Sequence, residues 1–238
     1  MGPRESNQDT FHVATDLGLF MVADGMGGHN AGEVASRMAV DAVVHFIRET
    51  HESGDMTWPF AFDPKRSMLA NRLSVALRIA NSRVHQAGTG DPKFEGMGTT
   101  IAAALIEGER IVVAHVGDSR AYRLREGQFL QMTEDDTWLS VLLAAGATSG
   151  ATSHPMRHVL TNGIGMRADL KLSVNEEPLV AGDRWLISSD GVHSFLTGRA
   201  LAQLVALPCA ETAALRCVES AIAAGSSDNA TAVVVQVD

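Results

Sequence analysis

Positive charge, cysteine and long apolar runs are all scarce in this sequence. Nineteen Lys and Arg stand against 28 Asp and Glu, a formal net charge of -9. A chain that neutralises a run of phosphates needs a basic face, so nucleic-acid binding is excluded as its main business. A polybasic membrane anchor is excluded on the same ground. The 2 cysteines, Cys209 and Cys217, cannot build a disulfide framework, and no secretory signal precedes them. No apolar stretch approaches the roughly 18 residues of a membrane span. What is present, 45 % apolar and 20 % charged residues among 238, is the composition of an ordinary globular protein. One domain is expected, in the cytoplasm and as a monomer.

Along the chain, short strand-like runs at Phe11–Ala14 and Gly18–Ala23 precede helical spacing from Ala31 to Ile47 (Val34, Met38, Val43, Ile47). Residues 52–64, with Gly54, Pro59 and Pro64 around Trp58, Phe60 and Phe62, read as a loop with an apolar tether. Helical spacing resumes over Met68–Val84. Strands punctuated by Glu107-Gly108-Glu109 and Glu126-Gly127 follow at 99–106, 110–116, 121–125 and 128–132, as hairpins do. A helix is expected over 134–145 and a flap over 146–165. Strands are expected at 170–175, 184–188 and 230–237, with helices at 199–205 and 211–224. Strands in groups separated by helix pairs favour antiparallel sheets covered by helices over a doubly wound fold.

One pattern recurs: an apolar run ends in Asp beside a small residue. It appears as Leu19-Phe20-Met21-Val22-Ala23-Asp24-Gly25, as Val112-Val113-Ala114-His115-Val116-Gly117-Asp118-Ser119, and as Trp185-Leu186-Ile187-Ser188-Ser189-Asp190-Gly191. Asp228-Asn229 mirrors it before the last strand. Each Asp alone reads equally well as a turn or cap residue. Together at strand ends they converge on one rim, where carboxylates repel and are costly to desolvate unless a cation compensates. Such oxygen-rich sites suit Mg²⁺ or Mn²⁺. Gly25 would let its backbone carbonyl come close.

The ordered blocks Arg4-Glu5-Ser6-Asn7-Gln8-Asp9, Val22-Ala23-Asp24-Gly25-Met26-Gly27-Gly28-His29 with Ala31-Gly32-Glu33, and Met97-Gly98-Thr99-Thr100 continue the pattern. They are followed by Val116-Gly117-Asp118-Ser119-Arg120-Ala121-Tyr122, His154-Pro155-Met156-Arg157, Ser189-Asp190-Gly191 and Asp228-Asn229-Ala230-Thr231. In this order they resemble the metal-dependent protein phosphatases of the PPM (type 2C) family, in particular its compact bacterial members. The resemblance implies an α+β fold, a four-layer αββα sandwich of two mainly antiparallel sheets flanked by helix pairs, with 1–238 as one catalytic domain. It implies hydrolysis of phosphoserine and phosphothreonine in proteins that a cognate kinase has modified, at a centre of two Mn²⁺ or Mg²⁺ with a third, weaker site. Asp24 would bridge both metals, Gly25 would offer its carbonyl, and Asp190 and Asp228 would complete one set. Asp9 would hold a coordinated water, Asp118 would serve the third ion, and Arg4 would grip the phosphate. Asn229 would orient its neighbours. Two metals acidify a bridging water and screen phosphate oxygens, so in-line attack by hydroxide without a phosphoenzyme is expected.

The chain also departs from the pattern. Met26 stands where some members carry a histidine acid, leaving a metal-bound water or another His to protonate the leaving group. His154 and His158 have the spacing of a zinc pair, but Pro155 between them favours a flap-border turn. His29 and His193 lie near the site in sequence and read equally well as hydrogen-bonding residues. Glu134-Asp135-Asp136 reads as a solvated helix start capped by Thr133, and Met97 and Met132 read as core. Only Met1-Gly2-Pro3 precede Arg4, where the family usually has a strand, so an uncovered sheet edge and a loosely held Arg4 are expected. Two other classes fit the same carboxylates: a binding module without turnover, and a Ca²⁺-stabilised structural domain.

Overall fold

Strand β2 (Leu19–Met26) shows why the chain folds in layers. Leu19, Met21 and Ala23 enter one apolar cluster while Phe20 and Val22 enter another. A strand buried on both faces needs apolar residues at every position, and this run supplies them. The same holds in β4 (Ile101–Glu107), where Ile101, Ala103 and Leu105 face one way and Ala102 and Ala104 the other. The computed structural model describes residues 4, 6–28, 31–52, 58–147 and 154–238.

The first sheet has the order β1 (Asp9–Ala14), β2, β4, β5 (Arg110–Val116), β8 (Ser173–Pro178), with the short β3 (Gly98–Thr99) added to β2. The second runs β10 (Ala232–Gln236), β9 (Arg184–Ser188), β6 (Arg120–Arg125), β7 (Gln128–Gln131). Every pairing is antiparallel. Helices α1 (Ala31–Glu52) and α2 (Met68–Gly90) cover the outer face of the first sheet, with Ala35, Ala39, Ala42, Val43, Phe46 and Ile47 of α1 buried at helical spacing. Trp185 and Ile187 fill the space between the sheets. Leu186 points the other way, to Val192 of α4 (Asp190–His193), Leu201 and Val205 of α5 (Gly198–Val205) and Cys217 of α6 (Ala210–Ala223). These are the four layers of an αββα sandwich.

Some boundaries differ from expectation. The helix expected over 134–145 is α3 (Trp138–Ala144), and its cap is Thr137, whose hydroxyl accepts from the Ser140 amide. Thr133 is buried instead, its hydroxyl accepting from Ala121 N–H; of the acids before α3, Glu134 is exposed as expected, whereas Asp135 and Asp136 are bound to neighbours. Of the loop after α1, Trp58 and Phe60 pack on the core and Trp58 meets Phe46 edge-on, while Phe62 is exposed. Residues 148–153 of the flap lie outside the described residues. The rest of it joins the body through two isolated bridges, Thr137 to Leu160 and Thr99 to Ile164, and through further bonds such as Thr161 N–H to Asp136 O and Gly165 N–H to Asn81 Oδ1. β10 is a sheet edge and packs over β2. Phe11 and Val13, paired with Val22 and Phe20 and so on the inward face, are exposed.

The turn between β8 and β9 is held by a buried carboxylate. Asp183 is 1 % exposed and accepts a fork from Arg125 (2.6 Å to each oxygen) and the Val180 N–H (3.1 Å). Burial alone would raise its pKa, but Arg125, that amide and Arg123 overcome it and hold it below the usual range. A lowered folded-state pKa contributes stability above the unfolded value near 4, lost as pH falls through it. Asp183→Asn should therefore cost roughly 2 to 3 kcal/mol near pH 7, because Arg125 keeps some contact with water. It should cost progressively less below about pH 4. Urea titrations across pH check both the loss and its disappearance in acid.

Candidate active site

The pairing of β1 with β2 sets Asp9 directly opposite Asp24. Asp9 is 8 % exposed, and its Oδ2 accepts from Thr231 Oγ1 (2.6 Å) and Ser189 Oγ (2.8 Å), both from the second sheet's rim. Ser189 and Thr231 also hold each other, Ser189 N–H to Thr231 O and Thr231 N–H to Ser189 Oγ. Asn229 reaches back across the same seam, accepting from the Gln8 N–H (2.8 Å) and donating to Ser6 O (3.1 Å). The orienting role expected of Asn229 is thus visible as two bonds to the first block. Asp190 opens α4 directly after β9, capped by Ser189, and Asp118 lies between β5 and β6.

Glycines let these segments close. A Cβ on Gly25 would fall 2.0 Å from Gly32 O and 2.7 Å from Gln8 O, and one on Gly191 would fall 1.9 Å from Asn229 O. Neither distance is possible for a real side chain, so α1 and the Asp228-Asn229 turn approach only because these positions are bare.

The electrostatics are those of crowded acids. Burial, and then the charges of Asp9, Asp190, Asp118 and Asp228, push Asp24 well above the ordinary carboxylate range. Burial, Asp190 and Asp135 push Asp118 up to about 7. Asp9 is raised by burial against the pull of its two hydroxyl donors, and Asp190 by burial and Asp228, with His158 partly relieving it. Asp9 Oδ1 and Asp190 Oδ1 are buried without a hydrogen-bond partner. Among the described residues no three acidic, imidazole or thiol side chains meet as a closed ligand set. Bare inward oxygens and mutually raised carboxylates fit a hard divalent cation that accepts oxygen and water ligands.

Arg4 reaches this rim too, as an ion pair with Asp228 (2.8 Å) in which its side chain is 56 % exposed. Met26 packs against Gly98 and Gly163, and its thioether has no proton to offer. His193 is buried, faces Ser188 Oγ (3.1 Å) and Tyr122, and burial holds its pKa well below the usual value. His154 takes the Met156 N–H in a turn, as a flap border does. His29 lies outside the described residues. The roles of Ser189 and Thr231 were not read from sequence, although both stand inside quoted blocks. Their hydroxyls next to Asp190 and Asp228 were the available signal.

A family model described as protein phosphatase 2C matches residues 4–214. The chain belongs to the protein phosphatase 2C family. It is 35 % identical over 237 residues to the serine/threonine protein phosphatase PstP of Mycobacterium tuberculosis, covering 98 % of this chain and 43 % of that protein. The chain thus spans less than half the length of that relative. Protein phosphatase PhpP of Streptococcus pneumoniae is 32 % identical over 250 residues, 99 % of this chain and 93 % of that one. Among solved structures, the catalytic domain of PstP in complex with 2 manganese ions superposes with a TM-score of 0.81 at 32 % identity, over 99 % of this chain and 94 % of that one. Family membership accounts for the αββα layers.

Mn²⁺ should stabilise the protein. At about one hundred times its Kd a ligand of the folded state adds about 2.7 kcal/mol, roughly 5 to 10 °C in Tm at this chain length. Asp190→Ala should remove most of that rise, and Asp169→Ala, an exposed acid, should retain it. Thermal melts with and without Mn²⁺ are the check.

Proposed function

We propose that this chain is a metal-dependent protein serine/threonine phosphatase, hydrolysing phosphoserine and phosphothreonine in proteins modified by a serine/threonine kinase. The observation that carries this reading is the convergence of Asp9, Asp24, Asp118, Asp190 and Asp228 on one rim, two with unpartnered buried oxygens, beside a solvent-accessible Arg4. The names of the family and of its relatives PstP and PhpP support the same chemistry. Residues 1–238 would act as one catalytic unit, in the cytoplasm and as a monomer.

Asp24 would be shared between two cations, the Gly25 carbonyl would serve one of them, Asp190 and Asp228 would complete the other's set, Asp9 would act through a water, and Asp118 would serve a third ion. Bound there, divalent cations screen the phosphate dianion and acidify water. Asp9 holds its proton-accepting Oδ1 inward because Ser189 and Thr231 fix Oδ2. Arg4 spends little energy in its exposed pair with Asp228, so its planar fork can turn to two phosphate oxygens in a geometry that Lys cannot match. Acceptance of the leaving alkoxide's proton demand does not fall to Met26 or to the buried His193.

Mn²⁺-dependent release of phosphate from a phosphothreonine peptide, abolished by EDTA and by Asp190→Ala, is the expected result. A clean protein that binds Mn²⁺ and releases nothing would leave a binding module in its place. Tight stabilisation by Ca²⁺ and none by Mn²⁺ would mark a structural domain. Arg4→Ala should lower kcat/KM about 10- to 100-fold, the worth of a charged hydrogen bond or two, with Arg4→Lys recovering only part. Acid-quenching turnover of a radiolabelled phosphopeptide should leave no label on the protein, since the phosphoryl group passes directly to water.

A further inference from the structure

The acidic run before α3 supplies none of the five rim carboxylates, yet one of its members is bonded both to the residue before Asp118 and to the flap. Asp136 donates its N–H to Gly117 O (2.9 Å), and its Oδ2 accepts the Gly117 N–H (3.1 Å). Its carbonyl accepts the Thr161 N–H (2.8 Å), and the same Oδ2 accepts from Asn162 Nδ2 (2.8 Å). Main chain and side chain therefore each bind two segments: the residue preceding Asp118, and the arm by which the flap re-enters the body. Its neighbours are occupied differently. Asp135 takes a fork from Arg120, at 2.8 and 2.6 Å, and the Glu134 carbonyl faces His115 Nε2 at 2.7 Å.

Both segments are constrained further on. Gly117 has a positive φ of 93°, and a Cβ there would fall 2.7 Å from Thr100 Cγ2, so the turn presenting Asp118 has one tight backbone course. On the flap side, Asn162 Nδ2 also donates to Lys171 O (2.8 Å), and two residues later Ile164 exchanges backbone bonds with Thr99. Thr99 Oγ1 in turn donates to Asp24 O (2.8 Å). A helix-start acid capping its own helix would bond forward into α3. Asp136 bonds away from it, to two segments distant in sequence.

We infer that Asp136 is a positioning residue that sets the Asp118 turn against the flap's exit arm, so that the order of residues 160–163 and cation binding at Asp118 depend on the same carboxylate. The cation half of this statement rests on the reading of Asp118 as a metal ligand given above. Partners that orient ligands from behind typically alter metal affinity 10- to 100-fold when removed.

The test uses the full chain and compares wild type, Asp136→Ala, Asp136→Asn and Asp118→Asn by hydrogen exchange and by Mn²⁺ calorimetry. Asp136→Ala should speed exchange of the Gly117 and the 161–162 amides together, and should weaken the weakest class of Mn²⁺ sites about tenfold or more. Asp118→Asn should weaken that same class without exposing the 161–162 amides. Asp136→Asn keeps an acceptor oxygen for both donors and should restore most of each effect, which a purely electrostatic role would not allow. Exchange rising in one segment alone, Mn²⁺ binding untouched by Asp136→Ala, or Asn behaving as Ala would each overturn the inference. Should Asp136→Ala fail to fold, Asn162→Ala removes only the flap's side-chain donor. It should speed exchange at 161–162 and leave the Gly117 amide protected; loss of protection at both, or at neither, overturns the assignment. Turnover of a phosphopeptide by wild type is scored separately: its absence defeats the phosphatase reading, while exchange and Mn²⁺ binding still decide the role of Asp136.

Discussion

The carboxylate of Asp9 joins the two sheets at the end where the site lies. It belongs to the first strand of one sheet, yet its Oδ2 is held by Ser189 and Thr231, which follow the central strand β9 and precede the edge strand β10 of the other. The donors are neutral hydroxyls, and that matters. A cation in their place would cancel the charge and leave nothing to attract a metal, whereas hydroxyls fix the carboxylate and leave it anionic. Asp24 and Asp190 are then brought near a carboxylate that no cation has neutralised, with Asp228 beside them, and the raised pKa values of Asp24 and Asp190 follow from burial and from the neighbouring carboxylates. The cluster is costly as it stands and gains most from a divalent ion.

The remaining acids are arranged in the opposite way, and strand β6 shows how. Its sequence Arg-Ala-Tyr-Arg-Leu-Arg places Arg120 on Asp135, Arg123 on Glu177 and Arg125 on Asp183. Each pair ties the second sheet to a different segment: the loop before α3, the edge strand β8 of the first sheet, and the turn into β9. A chain with a net charge of -9 therefore spends arginine where a carboxylate must be silent. At the rim the exposed Arg4 pairs with Asp228, while Arg120, committed to Asp135, only partly offsets the rise at Asp118.

The layers were legible because double burial leaves a mark in composition. The runs Leu19-Phe20-Met21-Val22-Ala23 and Trp185-Leu186-Ile187 carry no polar residue, and no amphipathic alternative competes for them. Asp24, Asp118, Asp190 and Asp228 were legible because each interrupts or ends such a run. Asp136 was not, because an acid three residues after a threonine has the spacing of a helix start. Local pattern carries no information about Gly117 or Asn162, which lie 19 and 26 residues away. The hydroxyls of Ser189 and Thr231 were hidden for the same reason. Serine and threonine occur freely in turns, and only the meeting of two sheets gives these two their partner.

Glycine settles how close that meeting can be. With the would-be Cβ of Gly191 at 1.9 Å from Asn229 O and that of Gly25 at 2.0 Å from Gly32 O, backbone rather than side chain sets the spacing of Asp24, Asp190 and Asp228. Two consequences differ in kind. Replacing an acid there changes charge and ligand number while the segments keep their distance, so the fold tolerates it and the chemistry does not. Replacing a glycine forces the segments apart and shifts several carboxylates at once, although no ligand has been removed. The Asp-Gly pairs in this chain are therefore single units: the acid supplies the charge, and its neighbour the proximity without which several charges would not share one rim.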